Sequence, residues 1–246
     1  MTRSRAAGRD PGETGPDRGS ERPSVAGVLL AAGEGARFGM PKALAQLCGK
    51  RLADHGVALL RDGGAAPVIV VTGAAPVDLA GDTTGVIVVH NPAWRTGMGS
   101  SLAAGLAAVG EGPTAAVIAL VDQPLVGPQA VGRLITAHQC GAEVAVAAYG
   151  GAPRNPVLLA RKHWAEVIEL AVGDVGARPF LRAHPDLVTL VECGDTGDPA
   201  DADTEEELTG MALRPKNRWF VLWTPYLQFQ IQHRFGPSQY RYHSTS

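Results

Sequence analysis

Between residues 30 and 42 the chain sets two cations in a run of small residues: Leu30, Ala31, Ala32, Gly33, Glu34, Gly35 and Ala36, then Arg37, Phe38, Gly39, Met40, Pro41 and Lys42. Glycine lets a backbone approach a ligand closely. Arg37 and Lys42, five positions apart on either side of Gly39, suit an anion, most simply a phosphate chain. Their expected task is to hold a triphosphate and to neutralise charge developing on its α-phosphoryl group. The spacing is neither the G-x-G-x-x-G of dinucleotide folds nor the G-x-x-x-x-G-K-[ST] of a P-loop. Asp122 directly follows an apolar run, Val117-Ile118-Ala119-Leu120-Val121, and so faces the ligand edge of a sheet. Such carboxylates are common ligands of Mg²⁺, a hard cation that takes one or two of them plus phosphate oxygens. The alternative is an Asp that caps the turn before Pro124.

Further candidates lie along the chain. Asp201 and Asp203 precede Thr204, which with Glu207 fits a capping box. The box accounts for Thr204 but not for two carboxylates ahead of it, and one of them is expected to join Asp122 on the metal. Residues 91–102 read Asn-Pro-Ala-Trp-Arg-Thr-Gly-Met-Gly-Ser-Ser-Leu. Gly97 and Gly99 allow a tight turn, Ser100 or Ser101 can cap a helix, and a helix N-terminus attracts anions. Both serines are therefore candidates for binding an acceptor. Arg178, closing Gly173-Asp174-Val175-Gly176-Ala177-Arg178, either grips an acceptor phosphate or pairs with Asp174. His90 and His163 read as structural.

These motifs carry a resemblance. Residues 30–42 resemble the L-A-A-G-x-G-x-R-[MF]-G-x-x-K signature of the MobA-like nucleotidyltransferases. Asp122-Gln123-Pro124 is similar to that family's Asp-x-Pro metal site. Residues 201–206 resemble its D-x-D-T-P-E segment, with Glu205 where Pro is usual. Residues 91–102 resemble N-P-x-W-x-x-G-M-x-x-S-L, and 173–178 resemble G-D-x-G-A-R, of the molybdenum-cofactor cytidylyltransferase branch.

The resemblance spans nearly all of 25–208. It implies a Rossmann-like, three-layer α/β/α domain that uses Mg²⁺ and a nucleoside triphosphate to transfer a nucleotide onto a phosphomonoester, releasing diphosphate. In the closest branch the donor is CTP and the acceptor molybdopterin. Ala32 hints at cytidine, because guanylyltransferase relatives tend to read L-A-G-G here. Leu30, Ala31, Ala32, Thr72 and Gly73 are expected along the nucleobase through backbone contacts, with Gly33 and Gly35 in the nucleotide loop. Ser100, Ser101, Asn155 and Arg178 are expected at the acceptor, Asn155 because the 154–156 loop borders the acceptor pocket in the family. A GTP-using guanylyltransferase, a transferase for another phosphorylated small molecule and a non-catalytic nucleotide-binding protein are the alternatives. A molybdoenzyme or its chaperone would be a protein partner.

The elements that must position these residues alternate. Buried strands are predicted at 25–30, 67–72, 86–89, 115–121 and 143–148, and a last strand at 187–191. A helical pattern covers 44–60, interrupted near Gly49. Further helices are predicted at 100–109, 129–139, 163–171, 177–183 and 204–211. A Gly/Pro loop is expected at 150–156, followed by a short apolar stretch at 157–159. Alternating strands and helices imply a mostly parallel sheet covered on both faces, with ligands outside the carboxyl ends of the strands. The loops at 31–42, 73–76, 90–101 and 122–127 should therefore gather on one edge.

Composition agrees with one domain over 24–211. The chain has 246 residues, 45% of them hydrophobic and 19% charged, enough for a sizeable core. A net charge of −2 gives no electrostatic reason to expect nucleic acid as a partner. Cys48, Cys140 and Cys193 are odd in number and lack metal-ligand spacing, which reads as reduced thiols. No apolar run reaches the ~20 residues a bilayer span needs and no signal-peptide core opens the chain, so the cytoplasm is expected. Residues 1–23 read as a disordered leader. Residues 212–246 hold no acidic residue and eight of the chain's thirteen aromatics, an atypical aromatic and basic tail.

Overall fold

The computed structural model describes residues 24–213. The expected leader lies outside the described residues, as does the tail beyond Leu213. Strand β1 (Val25–Ala31) is buried along its whole length, because it pairs on both sides and carries a helical layer on each face. Its side chains alternate between faces with the strand period of two. Val25, Leu29 and Ala31 join one core, while Ala26, Val28 and Leu30 join the other.

The next elements are a two-stranded hairpin, β2 (Gln46–Leu47) and β3 (Lys50–Arg51), and helix α1 (Leu52–Asp62). Then come β4 (Val68–Thr72), β5 (Val86–His90), α2 (Met98–Ala108), β6 (Ala115–Leu120) and α3 (Pro128–Gln139). The chain continues through β7 (Val144–Tyr149), β8 (Ala152–Ala160), α4 (Trp164–Leu170), α5 (Arg178–Ala183), β9 (Val188–Glu192) and α6 (Glu205–Ala212). The main sheet has the order β5-β4-β1-β6-β8-β7-β9. Every strand but β8 runs in one direction; β8 is antiparallel to both β6 and β7. Helices α1, α3 and α6 cover one face; α2, α4 and α5 cover the other. This is the expected mostly parallel three-layer α/β/α fold.

Three local expectations are corrected. The pattern over 44–60 is a helix only from Leu52. Before it, Cys48 and Gly49 both take positive φ (52° and 78°), the backbone of a two-residue hairpin turn that no helix can contain. The expected loop at 150–156 is a turn at Gly150-Gly151 followed by five residues of the nine-residue β8. Pro153 and Pro156 disguise it in the sequence, since a proline normally demotes a strand. The strand at 86–89 is not buried but an edge, with Ile87 45% and Val88 47% exposed. Its neighbour β4 pairs with it on one side only.

Candidate active site

Past the end of β1, the phosphate-loop candidate folds back on itself. The Phe38 and Gly39 amides donate to the Gly35 carbonyl at 2.8 and 2.9 Å. Gly35 has φ +65°, and a Cβ there would lie 2.1 Å from the Met40 carbonyl oxygen. Only glycine closes this turn. Lys42 then opens a short 3₁₀ turn that aims its ammonium at the tip of β6.

Lys42 Nζ donates to Asp122 Oδ2 at 3.0 Å and to Asp203 Oδ1 at 2.8 Å. Arg37 reaches the other oxygen of Asp203, at 2.9 Å. The loop cation and the strand-tip carboxylate, 80 residues apart in sequence, are thus in contact. Asp203 arrives by a stitched segment. The Ala202 amide donates to the Asp122 carbonyl, and Gln123 Nε2 donates to Pro199 O and to Asp201 Oδ1. The capping box of α6 completes the hold: Glu207 Oε2 accepts from the Thr204 and Asp203 amides, and Thr204 Oγ1 accepts from Glu207 N–H. Glu205 stands at the first helical position, where proline is also at home. Asp203 therefore stands at Lys42, while Asp201 is held by Gln123.

The charges are unequal in their surroundings. Arg37 is 75% exposed along its side chain, so its pairing contributes little; Lys42 at 16% is the screened cation. Burial works against the Lys42 charge, but its bonds to Asp203 and Asp122 outweigh that and hold its pKa above the usual value. The bond from Lys42 holds Asp203 below the ordinary carboxylate range. Asp122 is pushed up despite the same lysine, because its burial dominates and Lys42 divides its charge between two carboxylates. Asp122 Oδ1 is buried with no hydrogen-bond partner. An orphaned carboxylate oxygen beside a second carboxylate fits a divalent cation. Among the described residues no group of three or more His, Cys, Asp or Glu is placed to hold a metal alone.

A cavity of about 690 Å³ opens over this cluster. One wall is Leu30, Ala32 and the 33–37 loop; a second is the 94–98 turn with Ser101 and Asp174. Buried Asn91 organises the second wall. Its Nδ2 donates to Ser100 Oγ at 2.9 Å and to Ser101 Oγ at 3.1 Å, and its Oδ1 accepts from the Ala93 amide.

A cavity of nucleotide size at the carboxyl ends of parallel strands, with a lysine bridging two carboxylates, agrees with the comparison by sequence. The model of the MobA-like NTP transferase domain matches residues 27–188. The chain belongs to that family. This places it among the nucleotidyltransferases. "Nicotine blue oxidoreductase" of Paenarthrobacter nicotinovorans is 37% identical over 199 residues, covering 77% of this chain and 97% of that one. The crystal structure of the Mycobacterium tuberculosis Rv0371c homologue from Mycobacterium sp. strain JC1 is 29% identical, with a TM-score of 0.65 over 81% of this chain and 98% of that one. Rv0371C of M. tuberculosis H37Rv in complex with manganese is 25% identical, with a TM-score of 0.59 over 77% and 98%.

Against the MobA-like expectation, the candidates separate. Arg37, Lys42, Asp122, Asp203, Leu30, Ala32, Gly33, Gly35 and Ser101 line the cavity. Ala31, Thr72 and Gly73, expected along the nucleobase, lie outside that lining. Ala31 packs into the core on the α1 side. Thr72 Oγ1 donates to the Val89 carbonyl, and Gly73 seats Trp94, which a Cβ would approach to 2.6 Å. Ser100 is also outside, its hydroxyl donating to the Ala93 and Gly97 carbonyls. Asn155 and Arg178 line a neighbouring cavity of about 50 Å³ that shares Leu30, Met98 and Leu120 with the large one. Asp174 forms no ion pair with Arg178 among the described residues; its Oδ1 accepts from the Met98 amide at 3.2 Å, at the start of α2. Sequence reasoning passed over Trp94, Arg95, Met98 and Asp174 as site residues, although all four lie inside motifs it singled out, 91–102 and 173–178.

Proposed function

We propose that the chain is a divalent-metal-dependent nucleotidyltransferase that moves CMP from CTP onto a phosphomonoester, molybdopterin in the branch it resembles most. One observation carries the reading: Lys42 bridges Asp122 and Asp203 at the floor of a nucleotide-sized cavity. Asp122 and Asp203 would hold Mg²⁺, which when bound neutralises phosphate charge. The acceptor phosphate oxygen attacks the α-phosphorus, the bond from α-phosphorus to the bridging oxygen breaks, and diphosphate leaves. A phosphate is already a nucleophile, so the residues act by positioning and charge neutralisation. With Asp122 and Asp203 committed to the metal, Lys42 and the exposed Arg37 would supply the positive charge that neutralises the triphosphate. Ala32 supports cytidine, because its methyl narrows the site beside Leu30. The test is diphosphate release with Mg²⁺, each nucleoside triphosphate and molybdopterin. GTP preference would defeat the cytidine assignment, and no release with any pair would defeat transfer.

A second reading rests on the relative named an oxidoreductase, which this chain matches over nearly that protein's full length. In it the same cavity holds a nucleotide that donates hydride to a heteroaromatic acceptor. Oxidation of a reduced nicotinamide dinucleotide by a quinonoid dye, with no diphosphate release from any triphosphate, would favour it.

A further inference from the structure

Three cations line the large cavity: Arg37, Lys42 and Arg95. The first two are engaged by Asp122 and Asp203. Arg95 differs. Its guanidinium lies 4.4 Å from the centroid of the Trp94 ring, and among the described residues it forms no ion pair. Trp94 is itself a fixed shelf: it fills the space that Gly73 leaves open, and its turn closes through Trp94 N–H to Asn91 O and Gly97 N–H to Trp94 O. A cation held on a ring face keeps its charge and all its donors.

Of the other candidates for receiving an acceptor's anion, Ser101 lines the cavity but is a neutral hydroxyl that accepts from Asn91; the rest are taken or displaced. At the start of α2 the Met98 amide is occupied by Asp174 and the Gly99 amide by the Gly173 carbonyl. A carboxylate at that position repels a phosphate instead of leaving the helix end open to it. Arg178 faces a small cavity whose other walls are mostly apolar. Once a triphosphate engages Arg37 and Lys42, Arg95 is the cavity cation left for a second anion.

We propose that Arg95, shelved on Trp94, receives the phosphate of the acceptor in the large cavity. The inference rests on the nucleotidyltransferase reading and names the residue that would select a phosphomonoester as second substrate. Full-length protein saturated with Mg²⁺ and a non-transferable α,β-methylene analogue of CTP is titrated with inorganic phosphate by calorimetry. Phosphate should bind the loaded protein. Arg95→Gln should weaken it roughly tenfold or more, as loss of a charge-assisted contact does, and Arg95→Lys should restore part of the loss. The analogue's own affinity should stay within about twofold, as should that of Arg178→Gln for phosphate. Unchanged phosphate affinity in Arg95→Gln, or no phosphate binding to the loaded wild type, overturns the proposal. An equal loss of analogue affinity also overturns it and moves Arg95 to the triphosphate. Failure of the wild type to bind any nucleotide analogue with Mg²⁺ would instead sink the transferase reading beneath it.

Discussion

Lys42 is where the site's electrostatics meet, so single substitutions there separate charge from packing. Lys42→Ala leaves Asp122 and Asp203 facing each other without their shared cation. Diphosphate release should fall by about 10³-fold, the scale of losing a phosphate-contacting cation in phosphoryl transfer. Asp203→Asn should cost more than Asp201→Asn, because only Asp203 touches Lys42; comparing the two at saturating Mg²⁺ checks the metal assignment. Away from the site, His55 is buried with Nε2 3.0 Å from the Leu47 carbonyl, and burial lowers its pKa. The folded state therefore resists a proton that the unfolded chain accepts near pH ~6.5. The stability from neutral His55 is fully present above that pH and declines as pH falls through it toward the folded pKa. Urea midpoints at alkaline and mildly acidic pH should show a decline that His55→Gln reduces.

At the scale of elements, the start of α2 is clamped by backbone. Gly99 sits so close to the C-terminal end of α4 that a Cβ would lie 1.6 Å from the Ala171 carbonyl oxygen. Gly99→Ala must push α2 off the 171–174 segment. It should cost about 1–3 kcal/mol in thermal unfolding and weaken acceptor binding, because the 94–98 wall moves with it. Gly210→Ala is the control: in α6 an added Cβ meets nothing within 4 Å, and the gain should be about 0.5–1 kcal/mol. The hairpin ahead of α1 and the long β8 show why element types were only partly legible. A two-residue turn needs φ signs that the residue pattern states only through Gly49. Pro153 and Pro156 spoke against a strand that tertiary pairing with β6 and β7 nevertheless forms.

For the whole molecule, the core closes with Leu208 and Met211 of α6. We propose the domain as 24–211. Truncation after Leu213 is expected to preserve the melting temperature and diphosphate release, whereas truncation before Leu208 should not. Mg²⁺ with CTP should raise the melting temperature in proportion to the logarithm of nucleotide concentration, and more than either alone. Among the described residues no helix is long and apolar enough to cross a membrane.

The sequence by itself determined the alternating strand-helix order, the glycine loop with Arg37 and Lys42, and the acidic strand tip, because each is a local pattern of spacing and period. Only the tertiary structure decided that Asp203 and not Asp201 meets Lys42, that Asp174 closes the start of α2, and that Arg95 keeps its charge free over Trp94. The first two outcomes depend on segments separated by 161 and 76 residues arriving at one edge of the sheet. No local pattern encodes which of two neighbouring carboxylates a distant backbone carbonyl and a capping box will turn inward.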